Sequence, residues 1–210
     1  GTATTTLDWT GTAPTAGRWY LVIVWHDSIA NTLNMQVNNS AVQSSAYSSG
    51  VFNSTSAFEI GRHGGAHNLD GRVGPVGMWK RILTAAERTT LYRGIGFGYA
   101  YAQLTAGLVN GLAEWWNNDA ASGGETGDHA ALVLVDNATV TANPGVILLE
   151  PYGFYGLHFD GLAQYVSFGN VAAVDFDRPQ PFSVLVMMNP HVAGASGADT
   201  ILGKYDTATS

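Results

Sequence analysis

The residues able to do chemistry are scattered. The chain carries 16 Asp and Glu, six His and no Cys among 210 residues. Lack of cysteine removes disulfides, thiolate metal sites and a cysteine nucleophile. Two Glu and an Asp at alternate positions of one strand would set an acid and a nucleophile over one cleft. No Glu-x-Asp-x-x-Glu or near variant occurs. His63 and His67 have the i, i+4 spacing of a helical metal pair, but Gly64 and Gly65 between them forbid a stable helix. No Gly-x-Ser-x-Gly nucleophile elbow is present. The chain therefore reads as a non-enzyme.

Two binding chemistries remain. Hard oxygen ligands for calcium are offered by the stretches 27–31, 117–128 and 175–177, with Asp27, Asn31 and Asp128 as the ligand candidates. The same composition makes ordinary turns. Six Trp and nine Tyr could stack on sugar rings. Trp19, Trp25 and Trp79 stand at buried-face spacing and read as core. Trp115 and Trp116 are adjacent, so a strand there turns one of them outward, and that ring is the candidate glycan contact. Asn38, Asn53 and Asn137 begin Asn-x-Ser/Thr acceptors, relevant where the source glycosylates.

Charge narrows the partners. The net charge is −7 and no basic cluster exceeds Lys80-Arg81, which argues against nucleic acid. No apolar run of about 18 residues exists, so no helical membrane insertion is expected. Apolar residues make up 46% and charged residues only 12%, enough for a sizeable core under a Ser, Thr, Asn and Gly surface. Such surfaces are common in sandwiches facing the outside of a cell or virus.

The elements that must position these residues are short strands. Residues 19–26 form an apolar, β-branched and aromatic run, a strand buried on both faces or nearly so. Residues 32–38 alternate, predicting one buried face (Leu33, Met35, Val37) and one wet face. A further strand is permitted around Leu7 and Trp9, and an edge strand within 41–56. Strands follow at 58–61 and 73–82, with Pro75 placing the latter at an edge or a bulge. Thr84-Ala-Ala-Glu87 is a capping box opening a short helix near 84–92, with Leu91 and Tyr92 docking it and Gly94 and Gly96 ending it. Beyond a Gly/Tyr-rich stretch, strands are expected at 108–116, 132–135, 157–161, 164–168, 182–188 and 201–204. The 157–161 and 164–168 strands read as an antiparallel pair, and 137–144 as loop.

The ordered set Trp19, Val37-Asn38, Phe58-x-Ile60-Gly61, Asp70-Gly71-x-Val73 and Trp79-x-Arg81-x-Leu83-Thr84-x-x-Glu87-x-x-x-Leu91-Tyr92 resembles the second half of laminin-G-like jelly rolls. Residues 108–210, with Glu114-Trp115-Trp116 and Phe159-x-Gly161 leading to Tyr165-Val166, resemble the first half. The resemblance implies an all-β antiparallel, concanavalin A-like sandwich, with residues 1–93 the closing half, 94–107 a linker and 108–210 the opening half. The halves then share one sandwich, permuted within a chain or completed between chains. Both ends read as cut or processed from something longer. Glucanases share the fold, but their strand motif is absent here. The expected role is an extracellular, cell-surface or virion-surface module for adhesion or glycan binding, with calcium as the expected cofactor. Its expected partners are glycan and neighbouring copies of itself. The rival roles are a structural or assembly module and, more distantly, a glycoside hydrolase.

Overall fold

The computed structural model describes residues 6–50, 55–62, 67–95, 104–116, 139–141, 146–149, 154–170, 172–177, 179–191 and 200–204. Twelve described strands form two antiparallel sheets. The larger runs β3 (Gln43–Ala46), β2 (Thr32–Val37), β1 (Tyr20–Asp27), β11 (Phe182–Pro190), β5 (Asp70–Trp79), β9 (Phe154–Asp160) and β8 (Val146–Leu149). β6 (Leu112–Trp116) pairs with the second half of β5, end to end with β9. The smaller sheet runs β12 (Leu202–Lys204), β4 (Phe58–Ile60), β10 (Tyr165–Ser167) and β7 (Thr139–Thr141). Strands from early and late sequence alternate at the centre of the large sheet. β1 pairs with β11 from Tyr20↔Met188 to His26↔Phe182, and β11 pairs in turn with β5.

Two apolar layers hold this arrangement. Between the sheets lie Val73, Val76, Met78, Trp116, Leu157, Phe159 and Val186, facing Phe58, Ile60, Val166 and Phe168. On the outer face of the large sheet, Leu21, Ile23, Trp25, Trp79, Trp115, Leu185 and Met187 meet Leu83, Leu91 and Leu108. The covering helices are α1 (Ala85–Ile95) and α2 (Ala106–Val109). β1 supplies both layers because its alternate residues point to opposite faces, which is why its sequence is apolar throughout.

The capping box forms as expected: Glu87 N–H donates to Thr84 Oγ1 at 3.2 Å, and Thr84 N–H donates to Glu87 Oε2 at 2.8 Å. Arg81 also clamps Glu87 with two bonds of 2.8 and 2.7 Å, holding its carboxyl down at about 2. α1 runs through Gly94 to Ile95, and Tyr92 stays exposed beside buried Leu91, since successive helical residues diverge by about 100°. Pro75 sits in central β5, where the register to β11 shifts between Val186 and Met188. A bulge, not an edge, accommodates it.

Other expectations fail for tertiary reasons. Residues 6–10 are not in a strand; Trp9 donates its indole N–H to Thr12 O at 3.0 Å. Residues 139–141 form β7 instead of loop. β9 and β10 do not pair: β9 lies between β5 and β8, and β10 between β4 and β7. The turn at Gly161, with φ +75°, carries the chain from one sheet to the other. In β2 the buried side chains include polar Asn34, whose amide donates to Thr32 Oγ1 at 3.0 Å, and Gln36, whose Oε1 accepts Arg88 Nε–H from α1 at 2.8 Å. Leu33 and Met35 are only half-buried, because the narrower sheet does not reach across to β2. The expected strand at 132–135 and His63 lie outside the described residues.

Candidate functional site

The residues expected to bind a ligand do not converge. Trp115 and Trp116 are both 0% exposed. The strand does turn them to opposite faces, but each face is covered. Trp116 stacks on Phe58 between the sheets at 5.4 Å, and Trp115 meets Trp79 edge-on at 6.2 Å under the helices. Neither presents a ring to a sugar: Trp116 lies between the sheets, and a second apolar layer covers the outer face over Trp115.

The described part of the calcium set is engaged in turn geometry. Asp27 Oδ1 accepts the backbone N–H groups of Ile29 and Ala30 at 3.0 and 2.8 Å, an Asx turn. Asn31, at φ +53°, gives its carbonyl to Tyr47 N–H at 2.7 Å. Asp128 lies outside the described residues. Asp175 is paired with Lys204. Among the described residues, no three His, Cys, Asp or Glu side chains form a metal-holding group.

A different cluster is built at the other end of the outer face, beyond the helices. Asp70 and Arg72 on β5 alternate with core residues and so point outward together. Their ladder partners on β9 are Asp160 and His158, and Arg72 also faces Asn189 on β11. His191, just past β11, brings Nδ1 to 3.0 Å from Asp70 Oδ1 and to 3.4 Å from His158 Nε2. Asp70 and His191 keep side-chain exposures of 33% and 28%. Burial, His191 and Arg72 together hold His158 below the usual histidine value, against the pull of Asp70 and Asp160. It therefore favours the neutral ring.

Hydrogen-bonding capacity at this end is unspent. Arg72 makes no ion pair among the described residues, and its Nε–H is sealed without a partner. Asn189, 2% exposed, leaves Oδ1 unpartnered beside it. Buried donors and acceptors of this kind are costly to leave unmade. Asp160 Oδ1 accepts Leu162 N–H at 3.0 Å, and Leu162 then projects 77% exposed at the rim. Gly161 is required there, since a Cβ would stand 2.9 Å from Asp70 Cβ. No linear motif announces the site. Its only trace is the polar alternation Asp70-x-Arg72 and His158-x-Asp160 inside otherwise apolar strands.

Two further features bear on chemistry. An apolar cavity of about 530 Å³ opens on the inner face of β1 and β2, lined by Trp9, Pro14, Tyr20, Met35, Val37 and Met188. Glu114 on β6 is 0% exposed, neither oxygen has a hydrogen-bond partner, and burial pushes its carboxyl up to about 8. Beside it, the Trp116 indole N–H is also unpartnered.

Residues 1–87 match the family model Laminin_G_3, described as the concanavalin A-like lectin/glucanases superfamily. The match covers the strands and the start of the capped helix that carry the closing-half part of the laminin-G-like resemblance, and the fold is an antiparallel concanavalin A-like β-sandwich. Comparison with curated proteins and with solved structures finds no match.

Proposed function

We propose that the chain is a non-enzymatic, surface-exposed laminin-G-like module that binds glycan at the open polar end of its outer sheet face. The observation that supports this is the polar set that three strands bring together there, Asp70, Arg72, His158 and His191, of which Asp70 and His191 are partly exposed. The apolar cavity under β1 and β2 suits hydrated sugars poorly.

Catalysis is the weaker reading. Asp70 and Asp160 oppose each other on the ladder, but Asp70 is engaged by His191 and Asp160 by the Leu162 turn. The acid whose proton affinity suits general-acid work, Glu114, is sealed in the core. Glycan-array binding tests the proposal. Wild type should bind, Arg72→Ala should lose binding, and no glycan should be cleaved. Equal binding with and without chelator is expected from the Asp27 turn. Turnover abolished by Asp160→Asn would favour the hydrolase.

The domain reading is part of the proposal: residues 1–93 and 108–210 are closing and opening halves of one jelly roll. The alternation of β1, β11, β5 and β9 supports it. The rival assembly role rests on another observation. Among the described strands β12 ends the small sheet, and the inner faces of β1 and β2 line an apolar cavity beyond it. A neighbouring copy could add a strand there. Sedimentation velocity distinguishes the two, a monomer favouring the glycan-binding module. A cell-surface or virion-surface location follows from either role.

A further inference from the structure

We infer that the apolar cavity on the inner face of β1 and β2 is a second binding site, for an uncharged, largely apolar small molecule carrying one hydrogen-bond acceptor. It lies on the opposite sheet face from the polar cluster and does not depend on the glycan reading. Its volume of about 530 Å³ falls inside the range of about 300–1,000 Å³ that small-molecule sites occupy. Its floor is Val22, Met35, Val37 and Met188, and Trp9 and Pro14, on the arm before β1, form another wall. Val22, Met35 and Met188 stay only half-buried beside that arm.

Facing apolar surfaces in a fold normally close up, with few voids larger than a water molecule. Here the arm is held by its own bonds and does not collapse onto the sheet. Thr10 exchanges two hydrogen bonds with the Gln43 side chain, at 3.0 and 2.7 Å. Thr15 N–H donates to Tyr20 Oη at 2.7 Å, and Gly17 N–H donates to Pro190 O at 2.8 Å. The Trp9 ring folds back on Gly11, where a Cβ would stand 2.2 Å from Cζ2, and its indole N–H is spent on Thr12 O. The walls are thus set apart before a ligand arrives, which lowers the ordering cost of binding. A strand from a neighbouring copy would first have to displace this anchored arm, so a small molecule is the better occupant.

No charged side chain among the described residues lines the cavity, so an ion there would be buried unpaired. Asn38, also on the wall, accepts Leu21 N–H at Oδ1, 2.8 Å away. A backbone N–H only donates, so the amide is fixed with Nδ2, a donor, as its other end. Nδ2 has no partner among the described residues and, unlike Arg72 Nε, is not sealed from solvent. That end calls for an acceptor on the ligand.

The test uses the full chain and two neutral probes: N-phenyl-1-naphthylamine, followed by its fluorescence, and 2-decanone, followed as its competitor. The expected result is saturable binding of one naphthylamine per chain, displaced by 2-decanone, with the charged decanoate at least tenfold weaker as a competitor. Met35→Trp, which fills the cavity, should weaken the naphthylamine at least tenfold with an unchanged circular dichroism spectrum. Trp9→Ala, which removes a wall, should weaken it at least threefold. Asn38→Asp keeps the acceptor for Leu21 N–H and removes the Nδ2 donor. It should weaken 2-decanone at least threefold and leave the naphthylamine within twofold. Absence of saturable binding, or binding indifferent to both Met35→Trp and Trp9→Ala, overturns the site. Decanoate competing as well as 2-decanone overturns the uncharged class. A dimer in sedimentation that Met35→Trp dissociates, with no probe bound to wild type, overturns the small molecule in favour of a second copy.

Discussion

The substitution Glu114→Gln should change how stability depends on pH more than it changes stability itself. Glu114 is fully buried, with both oxygens unpartnered, and its carboxyl is raised from 4.5 to about 8. A carboxyl raised on folding holds its proton in the native state while the unfolded chain releases it. Below about pH 4.5 both states are protonated and the residue brings no pH-linked penalty. Between about 4.5 and about 8, each pH unit costs the native state about 1.4 kcal/mol. At pH 7 the accumulated cost is roughly 3 kcal/mol, a large part of the net stability of a domain. A glutamine side chain cannot ionise, so the variant should lose that slope. Urea midpoints followed by tryptophan fluorescence from pH 4.5 to 8.5 measure it. Wild type should weaken steadily as pH rises, and the two curves should diverge by about 3 kcal/mol between pH 4.5 and 7. Parallel curves would refute the reasoning, because a carboxylate already ionised in the native state gives no such difference.

Other consequences follow from the same geometry. Glu87, lowered to about 2, contributes stability that is full above about 4.5 and is lost as pH falls toward 2. Wild-type stability should therefore peak near pH 4.5, with His158, held below its usual value, offsetting part of the decline as pH rises toward 6.5; a maximum above pH 7 in thermal melts would contradict this. Thr84→Ala removes one half of the capping box and should cost roughly 1 kcal/mol in urea denaturation. Gly77→Ala puts a Cβ within 2.7 Å of both the Trp115 and Trp79 rings, and should cost roughly 1–3 kcal/mol. Fragments 1–93 and 108–210 should each be unstructured alone and regain a β-sheet circular dichroism signal on mixing. Two independently folded fragments would contradict one shared sandwich.

Local patterns made the strands and the helix start readable. The apolar run of β1, the alternation at Phe58–Ile60 and the Thr84–Glu87 box each satisfy a local requirement that tertiary contacts only reinforce. Pro75 likewise announced an edge or a bulge, since it has no N–H to give a ladder. What failed was set by neighbours far away in sequence. The corner at Gly161 looks like a hairpin turn until β5 and β4 claim the two flanking strands. Gln36 looks like part of a wet face until Arg88 of α1 reaches over it. Trp115 looks outward until the helical layer closes over it. The candidate site was illegible for the same reason: Arg72, His158 and Asn189 become neighbours only when three strands pair.

The most direct test of the central claim is a residue-resolved titration. Isotope-labelled protein would be followed by amide chemical shifts while a glycan identified on the array is added. The account predicts perturbations centred on Asp70, Arg72, His158, Asp160 and His191, absent in Arg72→Ala. Perturbations centred instead on the Asp27–Asn31 turn, or none with any glycan, would contradict it.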